Sequence, residues 1–278
     1  MDAIISVKPV RLAAPGRGAD LQVRVSAPVT GTGLPVVVFS HGFGWSLDGY
    51  GPLADHWAAA GFVVVQPTHL DSRTLALPPE DPRTPEIWRI RTEDLLRVLD
   101  HLDELESAVP GLAGRADTSR ITVAGHSWGA QTASTLLGAG VRGPGRPDPR
   151  VTSGILLAVP GRGGADLSEF AAEHLAFMTP GFATMSTPAL IVAGDKDQSV
   201  LTTRGPDWFT DAYHDSPGAK TLLTLHGAEH SLGGIVGPGA AETTDENPER
   251  VAYLQRATVA YLRGEPLPAA GQGELAWK

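Results

Sequence analysis

Short apolar runs recur along this chain, and stretches with helical spacing separate most of them. Residues 36–39 and 62–65 are apolar at every position, which is typical of parallel strands that are buried on both faces. Residues 21–26 alternate between apolar and polar side chains, and this pattern predicts an antiparallel strand near a sheet edge. Together the runs predict strands over 21–26, 36–40, 62–66, 121–124, 155–159, 190–193 and 220–225.

Between these runs, apolar residues recur every three or four positions. The longest such stretch, 84–106, predicts a helix with Thr84 as its N-cap and Pro85 at its first position. Shorter helices are predicted over 53–60, which Gly61 would end, over 130–137, and over 248–262, which Asn247 would cap. Strands that alternate with helices predict βαβ units, and therefore an α/β protein with a mostly parallel sheet.

One longer segment, 161–187, interrupts this alternation. It opens with Gly161-Arg162-Gly163-Gly164 and contains a predicted short helix near 167–177. We interpret it as a candidate lid or cap over the carboxyl edge of the sheet, where ligands of open α/β sheets bind. No interdomain linker is evident, so we expect one domain over 1–278.

Composition narrows the function classes. The net charge of −9, without a long basic run, argues against nucleic-acid binding. Because the chain has no cysteine, disulfides, thiolate zinc sites and a cysteine nucleophile are excluded. No apolar run is long enough to span a membrane, and the first residues lack the pattern of a secretory signal, so we expect a cytoplasmic protein. No segment predicts a metal site or a bound cofactor.

The strongest candidate chemistry lies in Gly125-His126-Ser127-Trp128-Gly129. An apolar, β-branched run precedes it and a helix of small residues follows, so the motif lies on a predicted strand–turn–helix. Such a sharp turn exposes a serine hydroxyl, and its two glycines let strand and helix backbones approach closely. Ser127 is therefore a candidate nucleophile.

A serine hydroxyl needs a histidine base, which a carboxylate in turn orients. Two later strands end in suitable residues. The strand at 190–193 is followed by Asp195 and Asp197, and the strand at 220–225 by His226 and His230. Spacing alone leaves both acids and both histidines open.

These motifs, together with Ser40-His41-Gly42-Phe43-Gly44, resemble the α/β-hydrolase superfamily over essentially the whole chain. The resemblance implies a mostly parallel eight-stranded sheet with helices on both faces and a small lid-like excursion. In that family the second acid of a G-[DE]-x-D turn is the catalytic acid, which corresponds to Asp197, while Asp195 would brace the turn. A G-x-x-H loop supplies the base, which corresponds to His230, with His226 as its rival.

The resemblance also implies an oxyanion hole made by two backbone N–H groups. Trp128 follows the nucleophile and supplies one of them. Phe43 supplies the other from the glycine-rich loop after the strand at 36–40. We expect the substrate to contact this loop and its surroundings at Gly42, Gly44, Trp45 and His69.

Within the superfamily, the loops around Ser40–Gly44, 66–72 and 229–234 resemble the chlorophyllase, dienelactone hydrolase and platelet-activating-factor acetylhydrolase group. Bacterial polyester-degrading esterases are similar in layout, although the chain lacks a cysteine pair. Ser127 departs from the cysteine of dienelactone hydrolase. The resemblance implies a serine esterase that cleaves a small-molecule carboxylic ester through an acyl-enzyme. The same triad leaves thioesterase, amidase, carbon–carbon hydrolase and perhydrolase activity open, as well as a non-catalytic ligand-binding role.

Overall fold

The computed structural model describes residues 2–78, 80–175, 177, 179–238, 240–269 and 271–278. Within these residues a central sheet contains nine strands, and a second sheet contains two short ones, β6 and β8. The strands in chain order are β1 (Ile4–Leu12), β2 (Leu21–Pro28), β3 (Leu34–Ser40), β4 (Val63–Pro67), β5 (Ala116–His126), β6 (Gly140–Val141), β7 (Val151–Leu157), β8 (Pro180–Gly181), β9 (Ala189–Gly194), β10 (Lys220–Leu225) and β11 (Gly273–Trp277).

The central sheet has the order β1-β2-β4-β3-β5-β7-β9-β10-β11. Its six middle strands, from β4 to β10, pair in parallel. At the edges β1, β2 and β11 pair antiparallel with their neighbours. This is a mostly parallel sheet of the α/β-hydrolase kind, as predicted, but it has nine strands where the resemblance implied eight. The apolar runs predicted seven of the nine and missed β1 and β11, whose sequence patterns are weak.

Helices cover both faces of the central sheet. They are α1 (Gly51–Ala59), α2 (Ile87–Asp100), α3 (Leu102–Ser107), α4 (Trp128–Leu136), α5 (Glu169–His174), α6 (Asp211–His214) and α7 (Pro248–Arg263). The first and last of these pack on one face, against Val37 and Val64. Helices α2 and α4 pack on the other, against Val36 and Val38. Successive residues of one strand thus enter opposite cores, which explains why 36–39 are apolar at every position.

The predicted helix over 84–106 is divided into three parts. Thr84–Glu86 forms a 3-10 turn, so Thr84 does not cap α2, whose N-cap position is Glu86. The second break lies at His101, between α2 and α3. There the His101 imidazole Nδ1–H donates to the Arg97 carbonyl at 2.9 Å, the acceptor that the His101 amide would need to continue the helix.

The segment 161–187 crosses the carboxyl edge of the sheet and includes α5 and β8. Strand β8 pairs with β6, which belongs to the loop after α4. A bridge between Leu167 and Thr202 ties the segment to the loop after β9. Residues 176 and 178 of the predicted short helix lie outside the described residues. Its role as a lid and the single domain over 1–278 stay predictions. Among the described residues, none of the helices combines the length and the apolar character that crossing a membrane requires.

Asn247 caps α7 as predicted, and its side-chain oxygen accepts a hydrogen bond from the Arg250 amide at 3.0 Å. We expect Asn247→Ala to lower the free energy of unfolding by about 1 kcal/mol, because one amide of the first turn loses its acceptor. Urea unfolding of the purified variant measures this loss. Asn247→Asp keeps the acceptor and is the control. A loss of equal size in both variants would contradict the capping role.

Candidate active site

Ser127 lies on a strained turn between β5 and α4. Its backbone has φ 54° and ψ −125°, a conformation that is costly for a residue with a side chain. A Cβ on Gly125 would lie 2.3 Å from the carbonyl oxygen of Gly129, and one on Gly129 would lie 2.0 Å from that of Ser40. Both positions therefore require glycine, as the motif predicts.

The hydroxyl of Ser127 is hydrogen-bonded to a histidine. Its Oγ lies 2.8 Å from Nε2 of His230, which follows β10. On the other side of the ring, Nδ1 lies 3.0 and 3.1 Å from the two carboxylate oxygens of Asp197, which follows β9. A carboxylate only accepts hydrogen bonds, so Nδ1 carries the proton and Nε2 is free to accept one from Ser127.

The environment of Asp197 is closed to solvent, because its side chain has no exposed surface. Burial raises the pKa of its carboxyl above the ordinary value, and the hydrogen bond from His230 acts in the opposite direction. A buried acceptor of this kind holds the imidazole in one orientation and one tautomer.

The rival acid and base form a separate pair. Asp195 accepts a hydrogen bond from the Gly227 amide at 2.7 Å, and its other oxygen lies 3.5 Å from Nδ1 of His226. The side chain of His226 is half exposed. In the described chain, His230 is the histidine that reaches Ser127.

The backbone amides of Phe43 and Trp128 are the two candidate oxyanion donors. Trp128 is the first residue of α4, so its N–H has no acceptor within the helix. On either side of Phe43, the Gly42 amide donates to Tyr50 Oη at 3.0 Å and the Gly44 amide donates to Asp71 Oδ2, also at 3.0 Å. The loop is thus fixed on both sides of Phe43.

Arg91 of α2 links this loop to the helix that follows Ser127, and sequence analysis missed it. Its side chain is fully buried, and its guanidinium donates to the His41 carbonyl and pairs with Asp71 Oδ1 at 2.6 Å. Its Nε donates to Thr132 Oγ1 of α4 at 3.0 Å, and the central carbon of its guanidinium group, Cζ, lies 4.6 Å from the centre of the Trp128 ring. One charged side chain therefore contacts both elements that carry the two amides.

A sequence signal for Arg91 did exist. The apolar residues of α2 at 87, 90, 95 and 98 define its buried face, and positions 91 and 94 belong to the same face. Those positions hold Arg91 and Asp94, both buried. Charged residues on a buried helical face must be paired, so they mark an internal polar network.

His69 belongs to that network rather than to the substrate cleft, so its expected contact with substrate is wrong. It has no exposed surface. Its Nδ1–H donates to Asp94 Oδ2 at 2.9 Å, and its Nε2 accepts from Ser40 Oγ, also at 2.9 Å. Arg17 Nε pairs with the other oxygen of Asp94 at 2.6 Å. His69 therefore fixes the end of β3 through its hydrogen bond with Ser40.

His126 and Tyr50 connect the loop at 40–44 to the backbone of His230. The Nε2–H of His126 donates to the His230 carbonyl at 2.7 Å, which leaves Nδ1 to accept from Tyr50 Oη–H at 2.9 Å. The same Tyr50 oxygen accepts from the Gly42 amide. This chain of hydrogen bonds has one direction throughout and fixes the His230 backbone relative to the loop.

Two spaces meet at Ser127. The larger has a volume of about 680 Å³ and a mainly apolar surface, to which Phe43, Trp128, Pro85, Ile87, Phe170, Leu175, Phe177 and Leu201 contribute. Its lining also includes the polar or charged residues Asp71, Thr84, Arg142, Glu173 and His174. The smaller, of about 180 Å³, is lined by residues that include Gly42, Trp45, His126 and His230. Gly42 and Trp45 thus lie where a substrate contact was expected, whereas Gly44 lines neither space. The described residues contain no cluster of three or more metal-ligating side chains.

Burial lowers the pKa of His126 to about 3, and the neighbouring His230 acts in the same direction. The unfolded value is about 6.5, so below that pH the unfolded chain takes up a proton that the folded chain does not. The groups that face His126 are the neutral Tyr50 hydroxyl, the carbonyl of His230 and the His230 ring. The carbonyl alone acts to raise the pKa, and burial outweighs it.

We therefore expect the free energy of unfolding to fall by about 2 kcal/mol on account of His126 as the pH is lowered from about 7 to about 5. Urea unfolding at several pH values measures the slope. His126→Gln retains a donor for the His230 carbonyl but cannot titrate, so its slope should be smaller by about one proton. Identical slopes in the two proteins would contradict the buried neutral state of His126.

A sequence model described as Chlorophyllase matches residues 5–194. The match includes the loop at 40–44 and the turn at Ser127, and it ends before Asp197 and His230. The curated proteins include none that matches this chain significantly. Because the match spans more than half of the chain and agrees with the observed sheet, the chain belongs to the chlorophyllase family of α/β-hydrolases.

Proposed function

We propose that this hydrolase is a serine esterase that cleaves a carboxylic ester through an acyl-enzyme. The observation that carries the proposal is the unbroken series of contacts from Ser127 through His230 to Asp197. Membership of a family of hydrolases supports the reaction class. The roles of the individual residues follow from their hydrogen bonds.

In the first half of the reaction, His230 Nε2 takes the Ser127 proton as Oγ attacks the ester carbon. The former carbonyl oxygen becomes negative and accepts hydrogen bonds from the amides of Phe43 and Trp128. When the tetrahedral intermediate collapses, the bond to the alcohol oxygen breaks. His230 Nε2 gives its proton to that oxygen, the alcohol leaves, and the acyl group remains on Ser127.

Water completes the cycle. His230 Nε2 takes a proton from a water molecule, whose oxygen attacks the acyl carbon. A second tetrahedral intermediate forms, and the same two amides bind its negative oxygen. When it collapses, the bond from the acyl carbon to Ser127 Oγ breaks and His230 Nε2 returns its proton to Oγ. The carboxylic acid then leaves. In both halves Asp197 stabilises the transient imidazolium without itself taking up the proton.

We choose an ester over an amide because the surface of the larger space beside Ser127 is mainly apolar, which suits the hydrocarbon part of an ester. A panel of p-nitrophenyl esters, thioesters and anilides of the same acid tests this choice. We expect the ester to give the highest kcat/KM, and a preference for the anilide or the thioester would contradict the assignment.

Replacing triad residues should abolish turnover while the protein remains folded. We expect Ser127→Ala and His230→Ala to lower kcat for p-nitrophenyl butyrate by about 10⁴-fold or more, and Asp197→Asn by about 10⁴-fold, because the imidazole loses its orienting partner. Steady-state kinetics measures the losses, and circular dichroism checks the fold. Asp195→Asn and His226→Ala are matched controls. If the controls lost as much activity as the triad variants, the assignment of the acid to Asp197 and of the base to His230 would be wrong.

Arg91 should act as a positioning residue for the oxyanion hole. We expect Arg91→Lys to lower kcat by about 10²-fold with little change in KM, because lysine keeps the charge but cannot bind His41, Asp71 and Thr132 together. Arg89→Lys on the exposed face of the same helix is the control. If Arg91→Lys kept the kcat of the unaltered protein, Arg91 would serve stability alone.

A further inference from the structure

Ser127 lies at the junction of two spaces that differ in size and chemistry. We infer that the larger space binds the acyl group and the smaller one the alcohol, so that the substrates are esters of a long or bulky apolar acid with a short alcohol. The inference rests on the proposed esterase reaction and adds the direction in which the ester lies.

The direction follows from where the proton must go. The leaving alcohol oxygen receives its proton from His230 Nε2, so the alcohol lies on the His230 side of Ser127. The acyl carbon stays bonded to Ser127 Oγ, with its oxygen at the amides of Phe43 and Trp128. Ser127 and Phe43 line both spaces, so they do not distinguish them. His230 lines the smaller space and not the larger one, whereas Trp128 lines the larger space and not the smaller one.

The larger space suits an apolar chain or ring system. Its volume of about 680 Å³ lies in the range of sites that enclose whole small ligands. Trp128 and Phe177 stack in it with ring centres 5.4 Å apart. Phe43 and Phe170, two of the five exposed large apolar side chains among the described residues, also line it. Exposed apolar groups that line a cleft gain most when an apolar ligand covers them.

The smaller space limits the alcohol. At about 180 Å³ it holds roughly the volume of six water molecules. Trp45 forms part of its wall, with Nε1 donating to Glu242 at 2.8 Å. Beyond His230, the adjoining surface is lined entirely by polar and charged residues, namely Lys196, Gln198, Glu229, Glu242 and Thr244. A long apolar alcohol would have to desolvate these groups without binding them, which disfavours it.

Two isomeric esters separate the two directions. Ethyl octanoate and octyl acetate have the same atoms and nearly the same hydrophobicity, but the long chain lies on the acid in one and on the alcohol in the other. We expect kcat/KM for ethyl octanoate to exceed that for octyl acetate by about tenfold or more, since each methylene in a fitting apolar pocket contributes to transition-state binding. Equal values, or a preference for octyl acetate, would overturn the inference.

Removing an exposed side chain from the larger space tests the same assignment without disturbing the core. We expect Phe170→Ser to lower kcat/KM for ethyl octanoate by about threefold to tenfold, and by less for ethyl acetate. Trp277→Ser removes an equally exposed aromatic residue from β11 at the far edge of the sheet and should leave both esters unaffected. A selective loss on octyl acetate in Phe170→Ser would place the alcohol in the larger space instead.

The failure of this inference differs from the failure of the esterase proposal. If the protein hydrolyses both isomers but favours octyl acetate, the reaction stands and the direction is wrong. If it hydrolyses neither isomer nor p-nitrophenyl butyrate, the esterase proposal itself fails. Ethyl acetate, which is small enough for either space, serves as the reference for turnover that does not depend on direction.

Discussion

The buried charge of Arg91 is the constraint on which the site depends. A guanidinium without solvent contact must have every strong partner supplied by the protein, because an unpaired buried charge costs several kcal/mol. Its partners are the His41 carbonyl, Asp71 and Thr132, which lie on three different elements. Satisfying one side chain therefore fixes the loop after β3, the loop after β4 and the helix α4 relative to one another, and the two candidate oxyanion amides with them.

The strain at Ser127 is held by the same neighbourhood. Its positive φ persists because α4 lies so close to β5 at Gly125, and so close to the end of β3 at Gly129, that neither glycine has room for a Cβ. Tyr50 and His126 then connect the loop on one side of the serine to the histidine loop on the other. Ser127, His230 and the two candidate amides are thus positioned by buried hydrogen bonds rather than by contacts with substrate, which favours a site that is formed before the substrate binds.

Sequence patterns predicted the parallel centre of the sheet well, since strands such as β3 and β4 are apolar on both faces. They missed the edge strands β1 and β11, which depend on pairing with a neighbour rather than on a strong local pattern. Their positions after successive strands predicted that Ser127, His230 and Asp197 lie together, and the three side chains are in contact. The prediction for His69 failed, because a single sequence does not distinguish a polar residue that faces a cleft from one that is buried in an internal hydrogen-bond network. The contrast between the two spaces arises from segments that are far apart in the chain, and no local pattern encodes it.

Covalent labelling of Ser127 tests whether its hydroxyl is an activated nucleophile. A fluorophosphonate reacts rapidly with a serine when a base activates the hydroxyl and donors stabilise the charge that develops on the phosphoryl oxygen as fluoride leaves. Intact-mass and peptide mass spectrometry should show one phosphonyl group per chain, located on Ser127, at neutral pH. His230→Ala should label far more slowly. Absence of labelling in the folded protein, or labelling at another residue, would contradict the account.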